Sequence, residues 1–256
     1  MKICVCVKHV PDTAATIRIE GEAGFKDSEI KFVVNPYDEY GVEEAVKLVE
    51  KNGGEVVIVT VGKPEAEATI RSALAMGAER GILVTTENQF LDPTLTARAL
   101  KAAIEKDGLP DIIFTGKGSV DTETFQTQYR LAGYLGLPVV NEVSGLTVDG
   151  GKAVAELEVG GGDRQVIEMS LPCVIGATKG LNEPRYPKFP DIMKAKKKKI
   201  DQMTLADLGV DVAAGAVTLE KLEPVPERSG AKMIEGSVED QVTELIRILK
   251  EEEKVL

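Results

Sequence analysis

Apolar positions along this chain alternate between two periods, and the alternation defines its elements. Residues 2–8 (KICVCVK) form a β-rich run in which Cys4 and Cys6 fall on one face. Residues 9–37 are irregular, with a hairpin expected through 16–19 and 30–34 and a turn at Asn35-Pro36. Residues 38–51 read as a helix: Val42, Ala45, Val46 and Val49 share one stripe, Glu43 and Lys47 pair at i,i+4, and Asn52-Gly53-Gly54 ends it. Residues 55–61 (EVVIVTV) are almost wholly apolar, the pattern of a parallel strand covered on both faces. A helix over 64–76 follows, with Pro64 in its first turn, Gly77 after its end, and Ala66, Ile70, Ala73 and Leu74 facing inward. Next come a strand at 81–84, a helix from the N-cap Asp92 through Leu95, Ala99, Ala102 and Ala103 to Lys106, a strand at 111–114, and a helix at 121–135.

This order implies an α/β fold: a doubly wound, mostly parallel sheet with helices on both faces. After Pro138 the pattern changes to a small antiparallel section, 146–148, 154–159 and 164–169, joined by Asp149-Gly150-Gly151 and Gly160-Gly161-Gly162. A strand at 171–177 can return to the main sheet. Beyond Lys199 the pattern loosens, and residues 201–236, with Pro224 and Pro226, read as an extended arm. Ser237-Val238-Glu239-Asp240 resembles a capping box that opens a last helix with Val238, Val242, Leu245, Ile246 and Leu249 as its apolar positions. The expected organisation is an α/β domain over 1–200 and a C-terminal arm and helix over 201–256.

Composition narrows the function. A chain of 256 residues with 43% hydrophobic and 29% charged residues can bury a large core. The net charge of −11 and the absence of Trp argue against nucleic acid as a partner. The cysteines Cys4, Cys6 and Cys173 lie in apolar runs without CxxC spacing, and His9 is the sole histidine, so neither a disulfide framework nor a zinc site is expected. No apolar stretch approaches the length of a membrane span, and the N-terminus reads as a first strand rather than a signal peptide. A cytoplasmic location is expected.

Candidate chemistry concentrates in two places. In an open parallel sheet, ligands lie beyond the carboxyl ends of strands, where strand order reverses. Residues 6–9, 35–38, 61–63 and 116–127 end there, and the last (GKGSVDTETFQT) is the richest. Backbone donors at a helix start, with Ser119, Thr122, Thr124, Gln126 and Thr127 nearby, suit a phosphate; an ordinary capped helix start is the alternative. Neither a P-loop nor GxGxxG is present. No nucleophile accompanies His9, and Asp121 and Glu123 do not face each other on a helix. The second place is 178–199, where Pro184, Pro187 and Pro190 stiffen a loop ahead of Lys194 and the run Lys196 to Lys199. An apolar tip beside a positive patch on an acidic chain suits a docking surface, and a solvated loop is the alternative. Arg185 is expected to pin that loop through an ion pair. A nucleotide site without catalytic groups fits a carrier better than a hydrolase.

The segment GLNEPRYPKFPDIMKAKKKKI closely resembles the signature of the β-subunit family of electron transfer flavoproteins, and VKHVPDT, NPYDEYGVEEAVKL, TIRSALAMGAERGI and GKGSVDTETFQT follow the family's order. The resemblance implies an adenine-nucleotide-hydrolase-like domain and a heterodimer. Its α subunit holds most of a redox-active FAD, and the C-terminal arm of this chain wraps that partner. It further implies an AMP site formed by Cys6, Asn35, Pro36, Tyr37, Asp38, Val61, Ser119, Val120, Asp121, Thr122, Glu123, Thr124, Phe125, Gln126, Thr127, Gln128, Tyr129 and Arg130. A recognition loop over 181–199 would dock on acyl-CoA dehydrogenases or related flavoenzymes. In it Phe189, where the family usually offers leucine, and Met193 are apolar anchors beside Ile192, Glu183 and Arg185 fix the loop, and Lys194 and Lys197 belong to the steering patch. Members with AMP usually carry Asn-Gln-Thr-Gly where this chain has Phe125-Gln126-Thr127-Gln128. Val10-Pro11-Asp12-Thr13 resembles electron-bifurcating members, which hold a second FAD in the same site, but their Gly-Asp-Thr and Val-Gly-Pro are missing. AMP is therefore favoured and a second FAD is the alternative. A stand-alone adenine-nucleotide-binding signalling domain would share the sheet but leaves the proline loop unexplained.

Overall fold

The computed structural model describes residues 1–88, 90–212, 215–226 and 230–256. They divide into two compact units, Met1–Leu222 and Glu223–Leu256.

The larger unit begins with β1 (Lys2–Cys6), β2 (His9–Pro11), β3 (Ile19–Glu20), β4 (Gly24–Phe25) and β5 (Phe32–Val34). It continues through α1 (Pro36–Asn52), β6 (Glu55–Gly62), α2 (Glu67–Ala75), β7 (Arg80–Thr85), α3 (Pro93–Asp107), β8 (Ile112–Gly116) and α4 (Thr127–Leu135). Then come β9 (Val139–Asp149), β10 (Lys152–Gly160), β11 (Asp163–Ser170), β12 (Cys173–Ala177), α5 (Phe189–Ala195) and β13 (Ile200–Thr204). Among the described residues one nine-stranded sheet dominates, in the order β11-β10-β9-β12-β8-β1-β6-β7-β13. From β9 to β13 all neighbours are parallel, and β10 and β11 extend the β9 edge antiparallel. The expected α/β architecture is therefore present.

The all-apolar strands are central because both their faces are covered. On one face Val5, Ile58 and Phe114 pack with α1 and α2 through Val42, Ala45, Ile70 and Leu74. On the other, Cys4, Val57 and Ile113 pack with α3 and α4 through Ala97, Leu100, Ala103 and Leu131. Each fully buried leucine or isoleucine contributes about 1.5–3 kcal/mol through removal from water. Asp92 caps α3 as expected, its Oδ1 accepting from Thr94 N at 2.6 Å and Leu95 N at 3.0 Å.

Four local expectations need correction. The hairpin through 16–19 and 30–34 does not form: β2 pairs with β5, and β3 pairs with β4. The strand expected at 146–148 spans Val139–Asp149; it leaves the parallel layer after a register shift at Val143 and continues antiparallel with β10. Glu142, at φ +60°, bends the strand between the two roles. The stretch read as the start of an arm contributes β13, whose five residues pair with β7. Finally, the helix expected from 121 starts at Thr127, leaving 117–126 as a loop.

In the second unit, α6 (Val238–Arg247) starts with the expected capping box: Ser237 Oγ accepts from Asp240 N, and Asp240 Oδ2 accepts from Ser237 N. Its Val238, Val242, Leu245 and Ile246 are exposed.

Candidate functional site

The chain runs from β1 to β6 and β7 toward one edge, then returns to place β8 and β12 on the other side of β1. Strand order thus reverses between β1 and β8, and the crevice beyond their carboxyl ends is the expected ligand position. A single carboxylate ties the strand ends together there. Asp38, on the first turn of α1, is buried; its Oδ2 accepts from Lys8 N at 2.7 Å, just past β1. Its Oδ1 accepts from Gly116 N at 2.9 Å, the last residue of β8, and from Asn35 Nδ2 at 2.8 Å. Burial pushes the Asp38 carboxyl up to about 7, against these donors and the nearby Lys8 ammonium. Gly116 is required here, because a Cβ would collide with Asp38 and come within 2.9 Å of the Tyr37 backbone.

Asn35 precedes α1 but does not cap it. Its amide instead reaches the loop after β8, donating to Gly118 O at 2.9 Å and accepting from Val120 N at 3.2 Å. Lys8 holds the same loop from the other side: its Nζ lies 2.8 Å from Asp121 and 3.2–3.3 Å from the hydroxyls of Ser119 and Thr122. Gln128, buried on the first turn of α4, donates to Lys117 O at 2.9 Å, as does Asn141 at 3.0 Å. Glu123 (φ +45°) and Phe125 (φ +50°) both take left-handed backbone, which is unfavourable for such residues by roughly 1–2 kcal/mol each and which breaks the helix expected here. The Phe125 ring lies over Gly118, where a Cβ would collide with it.

The α4 start therefore lacks a side-chain cap, and its first amides follow a loop rich in hydroxyls. Of the residues implied by resemblance, Asn35, Asp38, Ser119, Val120, Asp121, Thr122, Phe125 and Gln128 are joined by these contacts with Lys8 and Gly118. Pro36 and Tyr37 stand at the start of α1 between them, the Tyr37 ring 5.1 Å from Lys117 Nζ. Thr124 and Gln126 are exposed on the loop, Thr127 opens α4, and Tyr129 points outward. Arg130 turns back to Gln126, Nη2 to Oε1 2.8 Å. Cys6 and Val61 lie at the ends of β1 and β6. The Cys6 thiol is pushed up by its hydrogen bond with Cys4 and by burial, so it is held as an inert thiol. His9 stacks on Phe32 at 4.4 Å and bonds Thr69 Oγ1 through Nδ1 at 2.6 Å; burial lowers its pKa, with Glu65 opposing. Among the described residues no cluster suits a metal ion, and no helix is long and apolar enough to cross a membrane.

The proline loop lies elsewhere on the same unit. Arg185 is pinned as expected, and by α1: its guanidinium meets Glu43 at 2.8 and 3.1 Å and Glu50 at 2.6 and 3.0 Å, while its backbone N–H also donates to Glu43. Asn182 adds bonds to Tyr40 O and Glu44. Glu183, expected to help fix the loop, is exposed, and the α1 carboxylates take that role. Past this anchor Tyr186 is 97% exposed and Phe189 74%, and Ile192, Met193, Lys194 and Lys197 also face outward on or beside α5. Pro190 is accommodated because it falls in the first turn of α5, where no helix donor is lost.

The electron transfer flavoprotein domain model matches residues 23–208. The chain is 41% identical over 260 residues to the electron transfer flavoprotein subunit beta of Bradyrhizobium diazoefficiens, and 37% identical over 259 residues to that of Bacillus subtilis, each alignment covering 100% of both chains. Identity to the human subunit beta is 39% over 253 residues, 97% of this chain and 98% of that one. The chain belongs to the electron transfer flavoprotein family.

Within this electron transfer flavoprotein chain, four site contributors escape sequence reasoning. Lys8 is one lysine among many until the fold sets it against 119–122. Glu43 was expected to pair with Lys47 and instead holds Arg185, as does Glu50; their i,i+7 spacing places them on one face, which is the available signal. Asn141 reaches Lys117 only because β9 lies beside β12.

Proposed function

We propose that this chain is the β subunit of a heterodimeric electron transfer flavoprotein, acting in the cytoplasm as an electron carrier and not as an enzyme in its own right. Its α subunit holds most of the FAD that carries electrons from flavin-dependent dehydrogenases to a downstream acceptor. The exposed apolar face of α6 and the arm before it pack on that subunit. The crevice between β1 and β8 holds AMP, and the segment with Tyr186, Phe189, Ile192 and Met193 docks on acyl-CoA dehydrogenases or related flavoenzymes.

The observation that carries the reading is the donor set at the switch point. Both Asp38 oxygens are occupied by N–H groups, so this carboxylate does not face a ligand. Asp121 is neutralised by Lys8. What remains toward the crevice is the uncapped α4 start and the hydroxyls of Ser119, Thr122, Thr124 and Thr127, with the Lys8–Asp121 pair beside them, a set that suits a phosphate. Cys6 and Val61 offer an apolar floor for a base. When bound, FAD supplies the redox chemistry; the residues of this chain position the nucleotide and present the docking face.

Val10-Pro11-Asp12-Thr13 favours a second reading, a bifurcating protein with a second FAD in the same crevice. One measurement separates the two: flavin and AMP content of the complex purified from co-expression with the α subunit. One FAD and one AMP per heterodimer is the expected result. Two FAD and no AMP overturns the cofactor assignment, and a colourless chain that takes up no partner overturns the carrier role.

A further inference from the structure

The basic run after the docking tip is not uniform. Lys194, Lys196, Lys197 and Lys199 are exposed, whereas Lys198 is half-buried and turns inward. Its Nζ donates to Leu74 O at 3.1 Å and to Ala78 O at 2.5 Å, carbonyls at and just past the C-terminal end of α2. Leu74 O, in the last turn of α2, accepts in addition from Gly77 N at 3.3 Å, and a cation there also meets the negative end of the helix dipole. Arg71, on α2, makes the converse contact. Its Nη1 donates to Ala195 O at 2.9 Å and Lys198 O at 2.5 Å, at and just beyond the end of α5. Glu67 holds the guanidinium for this, accepting from Nε at 3.2 Å and Nη2 at 2.9 Å.

We infer that Lys198 and Arg71 are positioning residues that cross-cap α2 and α5, fixing the direction in which the Phe189–Ala195 helix presents its exposed side chains. The inference rests on the docking role proposed above. A helix of seven residues has too few internal bonds to persist alone in water, so α5 depends on its anchors. Arg185 anchors the segment ahead of α5, the cross-cap anchors its end, and β13 begins directly afterward at Ile200. Burial lowers the Lys198 pKa, with Glu79 and Asp191 opposing, as for an ammonium partly withdrawn from solvent. Lys198 is therefore no part of the steering charge. That charge comes from Lys196 and Lys197, because Lys194 lies 3.7 Å from Asp191 and Lys199 2.7 Å from Asp201.

The test uses the complete chain with its co-purified subunit, and a purified acyl-CoA dehydrogenase that reduces the wild type. In Lys198→Met and Arg71→Met, backbone amides of 189–198 should exchange hydrogen at least ~10-fold faster while those of α3 stay unchanged. KM for the dehydrogenase should rise about 10-fold with kcat within about twofold, the signature of lost positioning. Lys198→Arg, which still donates to the carbonyls, should restore both. The salt dependence of KM should survive in Lys198→Met and weaken in Lys196→Gln/Lys197→Gln. Unchanged exchange across α5 in both Met variants overturns the cross-cap, as does a loss of salt dependence in Lys198→Met equal to that of the double variant. Phe189→Ala is the control for the docking face: if its KM is unchanged, docking lies elsewhere, while hydrogen exchange still decides the cross-cap.

Discussion

Replacing Arg185 by Met tests whether α1 holds the proline loop. Glu43 is the deciding partner, since its side chain is 6% exposed while that of Arg185 is 34% exposed and that of Glu50 57%. Removing one member of a fully buried pair costs about 3–5 kcal/mol because a charge is left without its partner. Water reaches the arginine side of this pair, so roughly half of that, about 2 kcal/mol, is expected here. The exposed Glu50 arm adds only ~0.2–1 kcal/mol. Arg185→Met should therefore lose about 2–3 kcal/mol of unfolding free energy. Urea titration read by tyrosine emission suits this measurement. Trp is absent, and Tyr37, Tyr40, Tyr129, Tyr134 and Tyr186 all lie in the Met1–Leu222 unit, so the signal reports that unit alone. A double-mutant cycle with Glu43→Gln should give a coupling energy of about 2 kcal/mol. A coupling below about 0.5 kcal/mol would mean that the pair does not restrain the loop, and the reasoning would fail.

Three further outcomes follow from the same geometry. Asp38 titrates near 7 in the folded chain against an ordinary 3.8, so its contribution to stability is full below about pH 4 and is lost as pH rises through about 7. The stability gap between wild type and Asp38→Asn should accordingly move by about 2–3 kcal/mol in favour of the variant between pH 5 and 7, and a gap moving the other way in pH-resolved urea titrations contradicts the buried carboxyl. Gly116→Ala must displace the Tyr37 backbone and Asp38, and should cost about 1–3 kcal/mol together with bound nucleotide; full retention of both stability and nucleotide argues against the switch-point crevice. Ser237→Ala removes the cap of α6 and should weaken that helix by about 0.5–2 kcal/mol, seen as faster amide exchange in residues 238–247, whereas unaltered exchange refutes the cap.

The central sheet was legible in the sequence because β1, β6, β8 and β12 are covered on both faces, and apolar runs leave few alternatives. β13 was not, since an edge strand needs apolar contact on one side only and IDQMT carries no such run. The α4 start was misplaced for a different reason: Ser, Thr and Asp favour helix starts and turns alike, and only tertiary contacts from Lys8 and Asn35 select the turn, with left-handed backbone at Glu123 and Phe125. Asp38 and Asn35 were flagged by their place beyond a strand end and by family resemblance, not by their partners. Their bonds join β1, β8 and the following loop across separations that no local pattern encodes.

The anchoring of the proline loop also bears on how such a protein can change allegiance. α1 follows Asn35 and carries Asp38 at its crevice end and Tyr40, Glu43, Glu44 and Glu50 further along, so one rod of about 25 Å frames both the crevice and the loop. The restraints grip Asn182, Arg185 and the end of α5, and none of them uses the side chains of Tyr186, Phe189, Ile192 or Met193. Exposed positions without such contacts tolerate exchange within about 0.5 kcal/mol. If the tip docks as proposed, its selectivity is modular: those four side chains can be rewritten for a new partner while the scaffold and the crevice stay as they are.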